Sequence, residues 1–340
     1  MQRVLLRHSD GTVEISADLD FLAEILNDPL CTLWIDAEGE PAEALEKLGG
    51  RFELHPVTVE DFVHRNQRPK LEEFDQYIFV VIHALRAIRG DEVETDELHA
   101  VLKKNCLLTV HDRPLEAVQR VFDRCSGDHR ILEHGASFLL YLLSDAVVDG
   151  CFPVLDALGD EIDELEDAVV GGPARQRMHR IFEVKRVVVQ LRKIVSPQRE
   201  VYNSLSRRDY PHIDPRAAAY FRDVHDHLVR AFEVVDSYRD LVSNALDAYL
   251  AATSNRLGQV MKQLTVIATI FMPLSLLTGF FGMNFTGIPF NRAWLFALVL
   301  AMMAVFPAAM LLLFARRGWL TDGRRVTSWA RLWAWLRRRG

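Results

Sequence analysis

Residues 264–283 read LTVIATIFMPLSLLTGFFGM, and residues 293–315 read AWLFALVLAMMAVFPAAMLLLFA. The first run is 20 residues long and the second 23, and neither holds a charged side chain. At 1.5 Å of rise per residue, each can cross a hydrocarbon layer about 30 Å thick. A pair of buried core helices would be equally apolar, but soluble cores seldom set two such runs side by side between basic flanks. Arg256 and Lys262 precede the first run, and Arg316, Arg317, Arg324 and Arg325 follow the second. The connector 284–292 holds only Arg292. The positive-inside rule therefore places both termini in the cytoplasm and the connector outside, as expected for a multi-pass protein of the inner (plasma) membrane. Pro273 and Pro307 fall within the runs and do not exclude helix, because membrane helices tolerate proline.

Upstream of the first run, no proline occurs between Pro215 and Pro273, and Gly258 is the only glycine. Apolar or small residues recur in heptad register: Phe221, Val224, Leu228, Ala231, Val235, Tyr238, Val242, Ala245, Tyr249 and Ala252. That is the pattern of a helix packing on other helices over several heptads. Unbroken from Arg216 to Phe281, it would be a rod of roughly 100 Å.

The N-terminal part reads differently. Arg3–His8, Thr12–Ser16 and Cys31–Ile35 read as strands, Pro41–Leu48 and Pro56–His64 as helices. Tyr77–Ile88, Ala100–Leu102 and Cys106–His111 read as further strands, with Lys103–Asn105 as a turn. This is an α+β pattern. From about Gly135 the period becomes helical, with one long helix expected over His134–Val170 and a second over Arg175–Leu205, packed as an antiparallel pair. The first is rich in acids (Asp156, Asp160, Glu161, Asp163, Glu164, Glu166, Asp167). They suit either a solvated face or a surface that attracts divalent cations.

The chain has 40 Lys and Arg against 47 Asp and Glu, a net charge of −7. Eight Arg and one Asp lie beyond Ala315, so the rest is an acidic body and the end a basic tail. A nucleic-acid footprint across the body is not expected. The four cysteines (Cys31, Cys106, Cys125, Cys151) form no CxxC and read as reduced structural thiols. Met1 to Asp10 is charged, so no cleaved secretory signal is expected. The twelve histidines form no metal-ligand spacing; His225 and His227 stand two apart, on different helix faces. No HExxH, Walker A or GxGxxG motif and no nucleophile–base motif occurs, so an enzyme is not expected.

After Asp247 no acid occurs until Asp322, which excludes an acidic ring in the spans or the connector. Asp247, Ser254, Gly258, Met261, Leu264, Ala268, Met272, Ser275 and Gly279 are spaced by three, four or seven and share one helix face. A purely packing face would look similar, since small residues favour helix association in lipid. A pore lining would use the same residues, with Met261, Leu264 and Met272 as apolar constrictions that gate by dewetting. Two spans cannot enclose a path alone, so conduction requires several copies around an axis.

The end of the first span carries Phe281-Gly282-Met283-Asn284, then Phe285-Thr286-Gly287-Ile288-Pro289. Gly-Met-Asn before a second and final span resembles the signature of the CorA family of divalent metal ion transporters. The flanks strengthen the likeness: Ser254-Asn255-Arg256, Val260 to Thr265 and Ile267 to Leu274 are similar to the family's first span. Asn244 to Leu250 and Phe221 to His227 are similar to its stalk helix. In the body, His55-Pro56 with Glu60-Asp61, Gln67 to Glu72 and Tyr77 to Val81 also fit, as does Arg316 to Leu320 after the second span. The resemblance covers about residues 50 to 320.

The resemblance implies a homopentamer in the lipid bilayer, a funnel-shaped channel. Each chain would supply a cytoplasmic α/β domain (1–130), an antiparallel long-helix pair (131–214), a stalk helix (215–263) and a pore-lining first span (264–283). An outer loop (284–292), a second span (293–315) and a basic cytoplasmic tail (316–340) would follow. Gly282, Met283 and Asn284 would form the selectivity filter, with Asn284 as a metal-facing residue. Asp247, Gly258, Met261, Leu264, Met272 and Ser275 would line and gate the pore. Asp223 matches a regulatory acid of the stalk; its partner from a neighbouring copy would be Asp91 or Glu92. The implied ion is Mg²⁺, transported and regulatory, with Co²⁺ beside it. Two departures point elsewhere. Phe285 to Arg292 lacks the acid many magnesium-transporting members carry, and Thr286-Gly287-Ile288-Pro289 resembles the zinc-transporting ZntB branch. Gly258 stands where members often have a polar Asn. A Zn²⁺ transporter, proton-coupled or not, is the near alternative, and a membrane-anchored sensor without transport the distant one.

Overall fold

A computed structural model describes residues 2–16, 25–26, 28, 30–64, 66–168, 174–207, 210–283 and 292–319. The chain divides into two units, Met1–Tyr249 and Leu250–Gly340.

The first unit is built on a seven-stranded sheet. Its strands are β1 (Gln2–Arg7), β2 (Val13–Ser16), β3 (Thr32–Glu38), β4 (Lys70–Glu73), β5 (Ile78–Arg89), β6 (Glu92–Leu102) and β7 (Cys106–His111), in the order β2-β1-β3-β7-β6-β5-β4. Only β3 and β7 run parallel; the other pairs are antiparallel. Period-two alternation sorts the side chains. Leu33, Ile35, Phe79, Val81, Leu108 and Val110 pack on one face beneath α1 (Ala42–Arg51) and α2 (Pro56–Val63). Trp34, Ile78, Val80, Ile82, Leu98 and Leu107 face the opposite, larger core. Both faces are covered, which is why these strands read as nearly continuous apolar runs.

The larger core holds α3 (Glu116–Gly127), a 3₁₀ turn (His129–His134), α4 (Ala136–Asp149), α5 (Cys151–Ala168), α6 (Ala174–Arg207) and the start of α7 (Ala217–Gly282). The single helix expected over His134–Val170 is two helices. Pro153 lacks the N–H that would bond to the Asp149 carbonyl, and its ring crowds that oxygen. The α4 ladder therefore closes at Gly150, whose N–H reaches the Ala146 carbonyl at 3.3 Å. The long-helix pair is thus three helices.

The long helix is one element of 66 residues, with Pro273 inside it. Its heptad stripe is what the first unit buries: Phe221, Val224, Leu228, Ala231, Val235, Val242, Ala245 and Tyr249 are nearly inaccessible. Tyr238 is half-buried, and Ala252, beyond the division, is exposed.

The second unit holds the rest of α7 and α8 (Ala293–Arg316). Among the described residues, three stretches could cross a membrane by length and composition: Ala136–Glu166, Ala217–Gly282 and Ala293–Arg316. The most apolar window of the first is 50% buried, against 6% and 0% in the other two. Ala136–Glu166 is therefore a core element, and the other two leave their apolar surface bare.

Candidate ion path and regulatory carboxylates

The apolar end of α7 satisfies its own polar groups. The hydroxyls of Thr265, Thr269 and Thr278 donate to the carbonyls of Met261, Thr265 and Leu274 at 2.8, 2.7 and 3.0 Å. Such one-turn bonds keep these three hydroxyls paired in an apolar surround. Lys262 Nζ reaches the Gly318 carbonyl at 3.4 Å and lies 5.8 Å from the Trp319 ring centre. That keeps the ammonium at the end of α8, where a charge can stay at an interface.

Within this unit the sides of α7 differ. Val266 is buried, and Thr269, Ile270, Pro273 and Leu277 are half-buried. Nearly opposite, the stripe from Ser254 through Gly258, Met261, Leu264, Ala268, Met272, Ser275 and Gly279 is exposed, and Asp247, at the end of the first unit, is exposed too. Met272 is 77% accessible. A Cβ built at Gly258, Gly279 or Gly282 would meet nothing within 4 Å. Among the described residues of one chain this face has no partner. The helix stops at Gly282, where Met283 N–H donates to the Phe280 carbonyl at 3.3 Å. Met283 is exposed. Asn284 and the loop to Asn291 lie outside the described residues.

The acids that the resemblance marks as regulatory sit in different places on one chain. Asp91 lies in the β5–β6 turn, where its carboxylate pairs with Arg186 at 3.1 Å. Gln190 of α6 clasps the same turn, donating to the Asp91 carbonyl at 2.7 Å and accepting from Val93 N–H at 3.1 Å. Glu92, beside it, is exposed. Asp223 is exposed on α7, close enough to α4 that its charge helps raise the Tyr141 hydroxyl's pKa, after burial and Asp145. Of the acidic α5 face, Glu161 and Glu164 are paired with Arg180 at 3.4 and 3.1 Å.

A group that the sequence does not announce stands beside Asp223. Asp145 and Asp149, one turn apart on α4, face His227 of α7. The residues are some 80 positions apart in sequence, so no spacing could have flagged them. The only local signal is the i, i+4 pair of acids.

A second polar centre lies on the sheet face that carries Trp34 and Leu107. Asp36 of β3 accepts from Thr109 Oγ1 at 2.7 Å and Arg3 NH2 at 2.6 Å, with His111 Nε2 at 3.0 Å. His111 Nδ1 lies 2.7 Å from the Arg113 carbonyl. Burial would push the Asp36 carboxyl up, but the bonds from His111, Thr109 and Arg3 hold it below its ordinary value. Burial would push His111 down, but Asp36 holds it above its ordinary value. With acceptors at both ring nitrogens, His111 is an imidazolium here. This centre is structural, far in sequence from the α7 stripe.

Residues 32–317 match the family model described as "CorA-like Mg2+ transporter protein". The chain belongs to the CorA family. It is 38% identical over 291 residues to the cobalt/magnesium transport protein CorA of Thermotoga maritima, covering 84% of this chain and 83% of that one. The complete structure of the CorA magnesium transporter from Methanocaldococcus jannaschii superposes with a TM-score of 0.81 at 25% identity, covering 93% of this chain and 98% of that one. The cytoplasmic domain of ZntB from Vibrio parahaemolyticus matches with a TM-score of 0.55 at 12% identity, a likeness of fold alone. The CorA fold, with an α/β domain, a long helix and a final apolar helix, is thus the fold of this chain. The zinc alternative is not favoured.

Proposed function

We propose that the chain is the protomer of a homopentameric channel that moves Mg²⁺, and Co²⁺ beside it, inward down its electrochemical gradient. It sits in the plasma membrane with both termini in the cytoplasm. The observation that carries this reading is the bare stripe of α7, uncharged from Ser254 onward, which leads directly to Gly282-Met283-Asn284. Five copies with this face inward would enclose a path lined by small and hydroxyl groups at Gly258, Ser275 and Gly279. Rings of Met261, Leu264 and Met272 would interrupt it, narrow enough to dewet. Asp247 would supply a carboxylate ring at the cytoplasmic end.

Mg²⁺ gives up its water reluctantly and prefers an octahedral oxygen shell. A ring of Asn284 carbonyls can accept hydrogen bonds from first-shell waters without stripping them. An acid ring would instead bind the ion tightly, and the spans lack one. Regulation follows from charge. Asp223 of one copy and Asp91 or Glu92 of the next repel across their interface until Mg²⁺ bridges them. High internal Mg²⁺ would hold the closed state, and depletion would release it. The name of the Thermotoga maritima relative supports the ion choice.

The test is growth. Expression in bacteria deprived of their own magnesium uptake systems should restore growth at low Mg²⁺, and Asn284→Ala should not. Failure of the membrane-inserted wild type to rescue would favour a tethered sensor.

A further inference from the structure

The far end of α8 closes in a tight turn. Gly318, at φ +69°, lets Trp319 N–H donate back to the Phe314 carbonyl at 2.9 Å, while Gly318 N–H donates to the Ala315 carbonyl at 3.1 Å. This is a Schellman motif, and its usual apolar contact is present: the Trp319 ring stacks on Phe314, with centres 5.5 Å apart and planes at 19°. The fold-back sets Trp319 beside Lys262 of α7. Both apolar helices thus reach one boundary, marked by an indole and an ammonium, the two groups that favour the headgroup level of a bilayer.

Charge at that boundary has one sign. Arg256, Arg316 and Arg317 are exposed and Lys262 is half-buried. The described part of the second unit contains no Asp or Glu to balance them. The chain continues as LTDGRRVTSWARLWAWLRRRG over residues 320–340, outside the described residues. That stretch adds six arginines and three tryptophans against Asp322 alone. Arginine by itself would suit any polyanion. Arginine interleaved with tryptophan suits a surface that is anionic outside and apolar just beneath: the guanidinium pairs with phosphate while the indole enters the boundary. Single-stranded nucleic acid could use the same two groups. The tail, however, starts at the end of a helix long and apolar enough to cross a membrane, so lipid headgroups meet it at high local concentration. The family model's match ends at residue 317, so 318–340 lie beyond the segment it shares.

We propose that residues 316–340, with Lys262 at their root, form a docking surface for anionic phospholipid headgroups, phosphatidylglycerol being a simple example. The headgroup phosphates supply the counter-charge that the described second unit lacks, and the indoles hold the segment at the bilayer surface. The ends of both apolar helices are then tied to lipid. That the leaflet is the cytoplasmic one rests on the orientation proposed above; the preference for anionic lipid does not.

Contact quenching tests it. Trp294, at the other end of α8, is replaced by Phe in every sample, and Trp34 is fully buried and out of reach of lipid. The quenchable indoles are then those of the tail. The full chain is reconstituted in mixed phosphatidylcholine and phosphatidylglycerol, with bromine, an indole quencher, on the acyl chains of one lipid or the other. At equal mole fraction, brominated phosphatidylglycerol should quench at least about twofold more, since each basic side chain near an anionic surface favours it on the order of fivefold. Replacing Arg324, Arg325, Arg331, Arg337, Arg338 and Arg339 by Gln should remove most of that excess, and replacing the same six by Lys should keep it. If the Gln variant fails to insert, Arg337→Gln, Arg338→Gln and Arg339→Gln together should still lower the excess. Equal quenching by the two lipids, or an excess undiminished in the Gln variants, would overturn the proposal. An excess abolished by a single-stranded oligonucleotide would assign the tail to nucleic acid and overturn it too. Because lipid contact is read rather than flux, failure here leaves Mg²⁺ uptake standing, and failed uptake leaves the lipid surface standing.

Discussion

Replacing Asp36 by Asn tests how the sheet is held together around its central polar cluster. Asp36 is fully buried, and it joins three strands: Arg3 on β1 and His111 and Thr109 on β7 all bond to it. Asn is nearly the same size, so no cavity opens, but the negative charge is lost. Buried His111 and partly exposed Arg3 then lose their shared counter-ion. Breaking a buried pair in this way costs about 3–5 kcal/mol. For a unit of this size each kcal/mol moves the melting temperature by about 2–4 °C, so the expected fall is roughly 6–20 °C. Trp34 supplies the probe, since its buried Nε1 donates to Thr109 Oγ1 at 3.0 Å. With the other five tryptophans replaced by phenylalanine, its fluorescence in a thermal scan of the full chain in detergent follows this cluster directly. The pH dependence has a fixed sign. The lowered Asp36 carboxyl contributes stability above the unfolded value of about 3.9, lost as pH falls through the folded value. The raised His111 contributes fully below about 6.5 and loses that as pH rises through its folded value. The gap between wild type and variant should therefore be widest near pH 5 to 6 and shrink on both sides. A fall under about 2 °C, or a gap flat across pH 3–9, would refute the reasoning, on the conversion used above.

Three further outcomes follow from the same geometry. Leu264→Asn places a polar group in the proposed apolar constriction and should speed Mg²⁺ entry into liposomes; slower or equal entry argues against dewetting at that ring. Asp223→Asn should conduct with weaker inhibition by internal Mg²⁺, read from flux at stepped internal concentrations; unchanged inhibition would sink its regulatory role. A Cβ at Gly159 would stand 2.5 Å from the Tyr238 hydroxyl, which bonds to the Leu155 carbonyl at 3.1 Å. Gly159→Ala should therefore cost about 1–3 kcal/mol in a melting experiment, and less when combined with Tyr238→Phe.

The sequence was most legible where one physical demand repeats over many residues. The α7 stripe from Phe221 to Tyr249 is visible because each heptad must bury the same face, and the spans because a charge in lipid is costly. Strand β6 begins at Glu92, well before Ala100, where the apolar pattern alone would start it. Its first half carries Glu92, Glu94, Asp96 and Glu97, which hides the strand pattern. Three of these acids are held by pairing: Asp96 with Arg86, Glu94 with Arg89, and Glu97 with the backbone N–H groups of Asn66 and Gln67. Strand β4 is short and charged, as an edge should be, and the sequence gives it no apolar alternation. The break at Gly150 was written in Pro153, but the apolar period runs through it on both sides. The Asp36–His111 centre and the group of Asp145, Asp149 and His227 were out of reach, since each joins residues more than 70 positions apart.

The central claim is that Mg²⁺ crosses the membrane along the bare face of α7 and past Asn284. Ion influx into liposomes holding purified protein tests it most directly, with Mg²⁺ and Zn²⁺ run in parallel and Asn284→Ala as the control. The account predicts Mg²⁺ influx that the variant loses. Zn²⁺ influx without Mg²⁺, above all if a pH gradient drives it, or no flux of either ion from intact protein, would contradict it.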